Sequence, residues 1–368
     1  MIRSHRIRLN PTPKQQSYFV RAAGTRRFVY NWGLAEWKRQ YAIGGKPSIM
    51  ALKKQFNAIK RDQFPWVYEV SKCVAEGAFM DLKEAFTGFF EKRSSGKKVG
   101  YPRFKSKKHS RDGFYIANDK FRVKRHSIWL PHIGQVNMAE SLRLEGRIQS
   151  ARITRSGNWW FVSIAVAIER EAWVHEAAAV GIDVGVNRLA TLSDGSVLEN
   201  QKPLKSLMRR VNRLNRSLRR KQVGSKNREK TRLKLSRLHY RIACLREDTL
   251  QKTTTAIANR YQFVAIEDLN VMGLMRNHKM AQALADVAIG QFLTLLEQKV
   301  AKRGGVVRKI GRFYPSSKTC SSCGAIRDTL PLHERTYVCT ICGANFDRDY
   351  NAAVNILNEA WRLHTGNQ

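Results

Sequence analysis

The spacing of apolar residues changes along the chain, and its first third has mainly the spacing of helices. The opening "RSHRIRLNPTPKQQ" predicts a short strand that stops at Pro11 and Pro13, with a helix starting there. In "KQQSYFVRAAGTRRFVYNWGLAEWKRQYAI" apolar residues recur at helical spacing, and two more helices are predicted around Ser48–Lys60 and Trp66–Glu91. This helical region ends at a loop rich in Gly, Ser and Lys, "KRSSGKKVGYPRFKSKKHSRDG".

A period of two then replaces the helical period. The segments "GFYIANDKFRVKRHSIWLPHIGQVNM" and "GRIQSARITRSGNWWFVSIAVAIE" alternate apolar and polar residues, with Ser156-Gly157-Asn158 as a hairpin turn. This pattern predicts a small antiparallel barrel or sheet. Because the first strand precedes the helices, we expect the helical region to be an insertion within this β domain.

From Val180 onward, strands alternate with helices. The stretch "VGIDVGVNRLATLSDGSVLEN" predicts three strands, with Asp194-Gly195 as the second turn, and a basic helical hairpin follows over about Pro203–Arg260, broken near "QVGSKN". A buried strand "QFVAIEDL", a helix around Ala281–Arg303, a strand "VVRKI" and an amphipathic helix "DYNAAVNILNEAWRLH" complete the pattern. A three-strand meander followed by alternating helices and strands suggests a ribonuclease-H-like α/β domain.

Charge narrows the choice of partners. The 368 residues contain 67 Lys and Arg against 29 Asp and Glu, a formal net charge of +38, with sixteen basic residues between Lys202 and Arg241 and thirteen between Lys92 and Arg125. A polyanion is therefore the first partner to consider, although a merely solvated basic surface is the alternative. No run of about 18 apolar residues, lipidation motif or signal peptide is visible, so we expect no membrane partner and a cytoplasmic location.

Four cysteines have metal-ligand spacing. Two C-x₂-C pairs, each followed by glycine, are separated by fifteen residues: Cys320, Cys323, Cys339 and Cys342. This spacing predicts a zinc ribbon, since two knuckles with two thiolates each complete a tetrahedron and leave no open position for catalysis. Two disulfides are the alternative. Cys73 and Cys244 lie on predicted helices, and we expect them to be core or partly buried residues.

A few carboxylates stand at positions where they need a partner. Asp183 lies within the apolar strand "VGIDVGV", Glu267 ends the strand "FVAIEDL", and Asp347 and Asp349 open the last helix. Carboxylates at strand ends and a helix start are suited to hold Mg²⁺ for phosphodiester cleavage. Each also has a simpler interpretation: Asp183 could pair with a buried Arg, Glu267 could be a strand-end charge, and Asp347 or Asp349 could be an N-cap.

Together these motifs resemble one family. The segments "GIDVGVNRLATLSDG", "AIEDLNVMGL", "YPSSKTCSSCG" and "NFDRDYNAAVNIL" look like the split RuvC motifs and zinc finger of TnpB. TnpB proteins are RNA-guided DNA endonucleases of bacterial insertion sequences, related to type V CRISPR effectors. The N-terminal "IRLNPTPKQQSYF", "GTRRFVYNWGL" and "GYPRFKSKK" also resemble TnpB, so the likeness covers almost the whole chain.

The resemblance implies an α/β multidomain architecture. A wedge β-barrel (residues 1–12 and 113–175) would be interrupted by a helical recognition domain (13–112). A RuvC-like nuclease domain (176–319 and 343–368) would follow, including the basic helical hairpin 203–260 and a zinc-ribbon insert (320–342). The implied catalytic triad, which would bind two Mg²⁺ ions, is Asp183, Glu267 and Asp349. Asp349 is preferred over Asp347 because it directly precedes "YNAA", and Asp347 would support the helix start.

The implied partners are a guide RNA encoded at the element's end and a target duplex with a short adjacent motif that the protein reads. We expect the protein to be monomeric on RNA and associated with the nucleoid when on target. A heteroduplex is held by its backbone, so basic clusters suffice. The basic residues predicted to contact nucleic acid are Arg103, Lys105, Lys107, Lys108, Arg209, Arg210, Arg213, Arg216, Arg219, Arg220 and Lys221. The aromatic residues that could stack on bases, although core roles are the alternative, are Tyr101, Trp129, Trp159 and Trp160.

The function predicted is therefore Mg-dependent, RNA-guided cleavage of duplex DNA in a single RuvC site. A nuclease-inactive, RNA-guided DNA-binding regulator is one alternative, and it would lack triad acids, whereas all three positions are filled here. An unguided transposase or recombinase is another. The chain departs from some relatives in its short basic tail and in the short insert between Glu267 and the cysteines, and neither departure touches the triad.

Overall fold

Two units make up the chain in the computed structural model, Met1–Arg170 and Glu171–Gln368. The described residues are 1–96, 98–169, 173–331 and 333–365. A few positions of the predicted segments therefore lie outside them. These are Lys97 of the second basic cluster, residues 170–172 at the end of the wedge segment, Leu332 of the zinc-ribbon insert and residues 366–368 of the last segment.

The first unit is organised around an antiparallel sheet. Its strands are Ile2–Asn10 (β1), Gly113–Ala117 (β2), Arg122–Lys124 (β3), Ser127–Leu130 (β4), Gly134–Met138 (β5), Arg147–Ser156 (β6) and Trp159–Ala167 (β7). They are ordered β2-β6-β7-β1-β5-β4-β3, so β1 pairs with both β7 and β5. The predicted sheet is confirmed. Closure into a barrel is not found among the described residues, because the end strands β2 and β3 are not paired with each other.

Three helices lie between β1 and β2 in sequence, as predicted: Pro13–Ala42 (α1), Ile49–Gln63 (α2) and Lys72–Ser94 (α3). Thr12 and Gln15 form a capping box at the start of α1. The single helix predicted around Trp66–Glu91 is wrong. Pro65–Glu69 forms a 3₁₀ turn, and the chain is extended at Val70 and Ser71 before α3 begins. The Ser71 N–H donates to the Tyr18 hydroxyl at 3.0 Å, a tertiary contact that residue spacing does not reveal.

The turn between β6 and β7 is a two-residue hairpin. Gly157 and Asn158 both have positive φ, 58° and 76°, which matches the twist of the flanking strands. The predicted hairpin is therefore confirmed. The side chains of β6 and β7 that face the core, including Ile153, Val162 and Ile164, are fully buried.

The second unit has a five-stranded sheet. Its strands are Ala177–Val184 (β8), Arg188–Leu192 (β9), Val197–Glu199 (β10), Tyr261–Glu267 (β11) and Val306–Ile310 (β12), in the order β10-β9-β8-β11-β12. The first three strands form the predicted meander. Strand β11 then pairs in parallel with both β8 and β12.

Helices cover both faces of this sheet. They are Pro203–Arg219 (α4), Lys226–Arg260 (α5), Val271–Leu274 (α6), His278–Val287 (α7), Ile289–Lys302 (α8) and Arg348–Thr365 (α9). Alternate residues of β11 face opposite cores. Val264 and Ile266 pack with α5 and α8, whereas Phe263 and Ala265 pack with α9.

Some details of this unit differ from the predictions, among them the short helix α6, which was not predicted. The helix expected around Ala281–Arg303 is two helices, because Ala288 adopts a left-handed conformation (φ 57°) and its N–H caps α7 by donating to Leu284 O. A short antiparallel pair, Thr336–Val338 (β13) and Asn345–Asp347 (β14), joins the cysteine region to α9 and was not predicted. In the described part of the chain, no helix is both long and apolar enough to cross a bilayer.

Candidate functional site

Strands β8 and β11 bring two carboxylates to one edge of the sheet. They run parallel, and Ile182 pairs with Ile266, so the next residues, Asp183 and Glu267, lie at the same end of neighbouring strands. Both stay within the sheet, because Asp183 pairs with Thr191 of β9 and Glu267 pairs with Ile310 of β12. Carboxyl ends of parallel strands are a common place for ligand sites in α/β folds. The strand periodicity thus places two of the three predicted acids together.

Helix α9 brings the third carboxylate. Its approach to β8 depends on Gly181, where a Cβ would lie 2.1 Å from Ala353 O. One oxygen of Asp347 accepts from the N–H groups of Asp349 and Tyr350, at 2.9 and 3.1 Å. Asp347 is therefore the N-cap of α9, as one of its two interpretations predicted. The cap fixes the first turn, and Asp349 lies in that turn.

The electrostatics indicate that the acids converge. Burial raises the pKa of Asp183 well above its ordinary value, and the negative charges of Glu267 and Asp349 raise it further, while the nearby Arg348 opposes them. Asp183 remains partly accessible to solvent. Within the described residues, neither Asp183 nor Glu267 forms a salt bridge. The largely buried Arg348 acts on Asp183 through its charge, while its guanidinium donates to Asp349.

Arginines surround the helix start rather than the strand ends. Asp349 accepts from Arg348 at 3.4 Å and has Arg335 at 3.8 Å, and Asp347 pairs with Arg188 at 3.0 Å. Burial tends to raise the pKa of Asp347, but the Tyr350 N–H and Arg188 lower it overall. Asp347 is thus occupied by the cap and an ion pair. Asp183 and Glu267 keep carboxylate oxygens that a cation can use.

The donor set of the three acids suits Mg²⁺, which prefers carboxylate oxygens. The three do not form a single tight cluster. Among the described residues, the four cysteines are the one group of three or more His, Cys, Asp or Glu whose ligand atoms all lie within 4.8 Å of one another. A looser arrangement is compatible with two ions about 3.5–4 Å apart, each sharing some of the carboxylates.

The four cysteine sulfurs already have the spacing of a zinc site. Cys320 Sγ lies 3.7 Å from Cys342 Sγ, and Cys323 Sγ lies 3.6 Å from Cys339 Sγ. Four sulfurs at about 2.3 Å from a tetrahedral Zn²⁺ would lie roughly 3.8 Å apart. The observed distances are much longer than a disulfide bond of about 2.05 Å, so the disulfide alternative is not supported. The backbone N–H groups of Cys342 and Ile341 lower the pKa of the Cys339 thiol to about 6, whereas hydrogen bonds with the other cysteines raise the pKa of Cys323. One thiol thus gives up its proton readily and a neighbour keeps it, and a bound metal would displace the remaining protons.

The two knuckles repeat one geometry. In each, the N–H of the glycine after the second cysteine donates to the carbonyl of the first cysteine: Gly324 to Cys320 at 2.9 Å and Gly343 to Cys339 at 3.1 Å. Both glycines have positive φ, 77° and 71°. This conformation explains why glycine follows each Cys pair. Outside the tetrad, Cys73 is buried as expected, whereas Cys244 is exposed, contrary to expectation, because it lies on the outer face of α5.

Comparison with known proteins decides the family. A model described as "Probable transposase" (OrfB_IS605) matches residues 163–278, one described as "Cas12f1-like, TNB domain" matches residues 290–356, and a "Helix-turn-helix domain" model matches residues 1–46. A "Putative RNA-guided DNA endonuclease" of Streptomyces pristinaespiralis is 35% identical over 96% of this chain and 88% of the relative. The chain belongs to the TnpB family.

Other relatives extend this picture. The "Putative RNA-guided DNA endonuclease InsQ" of Escherichia coli K12 is 29% identical over 97% of this TnpB-family chain and 92% of the relative. A cryo-EM structure described as the Cas12f1-sgRNA-target DNA complex aligns with a TM-score of 0.57 at 16% identity, covering 94% of this chain and 83% of Cas12f1. The α/β fold is therefore Cas12f-like.

Many of the basic residues predicted for nucleic-acid contact in this TnpB-family chain are exposed. The six arginines of α4 and its C-cap (Arg209, Arg210, Arg213, Arg216, Arg219 and Arg220) are exposed, and in the described part of the chain they have no acidic partner. Lys221 instead donates to Thr231 Oγ1 and Asn227 O, which ties α4 to α5.

The basic residues predicted for contact in the other cluster, Lys92–Arg125, are also partly exposed and partly engaged within the protein. Arg103, Lys107 and Lys108 are exposed, whereas Lys105 is half-buried, with its Nζ 3.4 Å from Asp81 and 3.8 Å from the Tyr30 ring centroid. Lys105 thus has an internal role. Among the aromatic candidates, Trp160 is a core residue and Trp159 is partly buried. Trp129 is exposed to 47%. Tyr101 is exposed to 38%, but its ring packs against Phe86 and Phe89 at 5.6 and 5.3 Å between ring centroids.

Sequence reasoning missed several polar residues of the site. Ser316 donates to Glu267, and Asn351 and Asn355 hold the loop before the first knuckle. Their signal was present, since two asparagines four residues apart interrupt the apolar face of the last helix. Buried amides of this kind require hydrogen-bond partners, so they mark a contact even before the partner is known.

Proposed function

We propose that this TnpB-family protein is an RNA-guided, Mg-dependent DNA endonuclease that hydrolyses phosphodiester bonds in a single RuvC site. Asp183, Glu267 and Asp349 form its catalytic triad, with Asp347 as the cap that supports Asp349. The observation that carries the proposal is the convergence of these three carboxylates from β8, β11 and α9, with the pKa of Asp183 raised by burial and further by the other two.

Bringing three carboxylates together destabilises the folded state unless a cation offsets their repulsion. Carboxylates are outnumbered by Lys and Arg, 29 to 67, yet Asp183 and Glu267 form no salt bridge within the described residues. When bound, two Mg²⁺ ions would activate the attacking water and stabilise the leaving oxygen. Asp183, Glu267 and Asp349 would hold these ions, and the half-exposed Arg335, 3.8 Å from Asp349, would be available to an incoming phosphate.

The strand orders of the two sheets support the domain boundaries expected from the sequence. The order β10-β9-β8-β11-β12 is the meander followed by parallel strands that a ribonuclease-H-like RuvC domain requires, and it supports segments 176–319 and 343–368 as the nuclease. The seven-stranded sheet, interrupted by α1–α3, supports a wedge of 1–12 and 113–175 with a helical recognition insert of 13–112. The cysteine spacing supports one structural Zn²⁺ in the insert 320–342.

Guide RNA and a target duplex with a short adjacent motif are the proposed partners. The curated relatives are named for RNA-guided DNA cleavage, and the structural neighbour Cas12f1 is described as bound to sgRNA and target DNA. The row of exposed arginines on α4 suits a phosphate backbone, which needs positive charge but no base-reading side chains. Replacing these arginines should lower the affinity for nucleic acid and should also make binding less dependent on salt concentration.

The first test is to express the protein with its flanking locus and to sequence the RNA that copurifies. A single noncoding RNA with a constant scaffold and a variable end identifies the guide, and a plasmid matching that end next to a randomised motif then reports cleavage with Mg²⁺. Guided binding without cutting would indicate a nuclease-inactive regulator. A heterogeneous RNA pool, or joined DNA strands without a guide, would contradict the proposal and favour an unguided transposase or recombinase.

A further inference from the structure

A short loop, residues 315–321, connects the carboxylates to the cysteines. It contains Ser316, which is 4% exposed, and Cys320, the first zinc-type ligand. The Ser316 hydroxyl donates to Glu267 Oε1 at 2.6 Å. The other carboxylate oxygen, Oε2, has no hydrogen-bond or ion-pair partner among residues 1–96, 98–169, 173–331 and 333–365. One oxygen of Glu267 is therefore fixed, and the other is left for a ligand.

The loop itself is held by two buried amides of α9. Asn355 Nδ2 donates to Ser316 O at 2.8 Å and to Thr319 O at 2.6 Å. Asn351 Nδ2 donates to Thr319 O at 2.7 Å, and Asn351 Oδ1 accepts from the Ser321 N–H at 2.9 Å. Both asparagines are at most 3% exposed. Helix α9, which carries Asp349 in its first turn, therefore also positions the hydroxyl that holds Glu267.

We propose that Ser316 is a positioning residue that fixes the Glu267 carboxylate for Mg²⁺ binding. The proposal rests on the proposed function for the Mg²⁺ site at Glu267 and for the cleavage readout. Glu267 ends a strand, where its side chain could otherwise rotate among several rotamers at little cost. The hydroxyl selects one of them, and an outer-shell partner of this kind orients a metal-binding carboxylate. Ser316 is too deeply buried to contact substrate, so we do not expect it to act as a nucleophile.

The experiment compares Ser316→Ala with Ser317→Ala in the full chain with its copurified RNA. Ser317 is the adjacent hydroxyl, and the described residues give its side chain no hydrogen bond. Two quantities are measured: the Mg²⁺ concentration that gives half of the Mg-dependent rise in Tm, and the Mg²⁺ concentration that gives half-maximal guided cleavage. Ser316→Ala should raise both by about 10-fold and slow cleavage at saturating DNA by roughly 10–100-fold. Ser317→Ala should change neither, and zinc content should stay the same in both.

Ser316→Thr and Ser316→Val provide a matched pair in case alanine impairs folding. Their side chains have nearly the same shape, but only Thr keeps the hydroxyl. The Thr variant should therefore need the same Mg²⁺ concentration as wild type, and the Val variant should need a higher one. Equal Mg²⁺ requirements for the two, or for wild type and Ser316→Ala, would overturn the positioning role. If wild type does not cleave guided DNA, the proposed function fails, while the Tm titration still decides the role of Ser316.

Discussion

The cysteine tetrad and the carboxylate cluster both gather potential metal ligands in the second unit, but they are built in opposite ways. The tetrad lies within one short insert, and repeated backbone turns bring its sulfurs to 3.6–3.7 Å. The carboxylates come from β8, β11 and α9, and burial together with their mutual repulsion raises the pKa of Asp183. Local backbone geometry is therefore enough to specify the tetrad, whereas the carboxylates come together only through the packing of β8, β11 and α9.

The largest effect should come from removing a carboxylate. Asp183→Ala or Glu267→Ala should reduce guided cleavage by on the order of 10³-fold or more, because the metal supplies several kcal/mol of transition-state stabilisation. Binding of guide RNA and target should remain largely intact, as measured by gel shift. Asp248→Asn, which removes an exposed charge paired with Lys252 on α5, is the control. Unchanged cutting by either triad variant would refute the assignment.

Breaking the tetrad should affect folding before chemistry. Wild-type protein should contain one zinc per chain by elemental analysis, and Cys339→Ser should lose it, since three thiolates bind far more weakly than four. Because Cys320 and Ser316 share one loop, zinc loss should also raise the Mg²⁺ requirement for cleavage. Cys244→Ser is the matched control and should retain zinc, because Cys244 is exposed and outside the tetrad. Folded protein without zinc would contradict the interpretation.

A methyl group at Gly181 should separate α9 from β8. The added Cβ would lie 2.1 Å from Ala353 O and 2.8 Å from Leu357, so α9 must move and carry Asp349 away from Asp183. We expect Gly181→Ala to lower stability by about 1–3 kcal/mol in chemical denaturation, as overpacking does, and to weaken cleavage as well. Gly88→Ala, in α3 with open space around its Cβ, should not destabilise the protein. Equal stability of both variants would show that this close approach is unimportant.

The smallest effect should be a gain in stability. The folded-state pKa of Asp183 is raised, so the folded chain binds this proton more tightly than the unfolded chain does. Metal-free stability therefore falls as the pH rises from the ordinary Asp pKa through the folded-state value, and it stays lower above that value. At neutral pH, Asp183→Asn should raise the metal-free Tm by a few degrees, since about 1 kcal/mol shifts the Tm of such a domain by roughly 2–4 °C.

Two further measurements complete that test. The Tm difference between Asp183→Asn and wild type should shrink below pH ~3.9, where an unfolded Asp is also protonated. Mg²⁺ should stabilise wild type more than the Asn variant, because only wild type keeps the full charge that attracts the ion. A lower metal-free Tm for Asp183→Asn at neutral pH would contradict the view that burial and the neighbouring carboxylates make the charged Asp183 unfavourable.

Residue patterns could predict the elements but not all of their breaks. The alternation in β6 and β7, the hairpin at Gly157 and Asn158, and the cysteine knuckles depend on local chemistry, so the sequence alone sufficed. The break at Ala288 has no such signal, because alanine favours helix and only packing accounts for its left-handed conformation. The split before α3 likewise depends on the distant Tyr18.

The candidate site shows the same division. Asp183 and Glu267 could be predicted because an acid in or after an apolar strand is costly without a partner. The contact of Ser316 with Glu267 joins residues 49 positions apart, and the amides of Asn351 and Asn355 reach carbonyls more than 30 positions away. Partners at such distances depend on how β11, the loop and α9 pack, which no single-sequence spacing encodes.

The place of β1 in the first unit has a consequence for the order of events during synthesis. Strand β1 lies between β5 and β7, and the Met1 amino group donates to Ile168 O at 2.5 Å, so its pairing needs residues made much later. At ~5–20 residues per second, β1 waits roughly 10–30 s on the ribosome for β7 to emerge. Helices α1–α3, whose contacts are closer in sequence, can form during that interval. We therefore expect the sheet of this unit to be completed last, after the helices have had time to form.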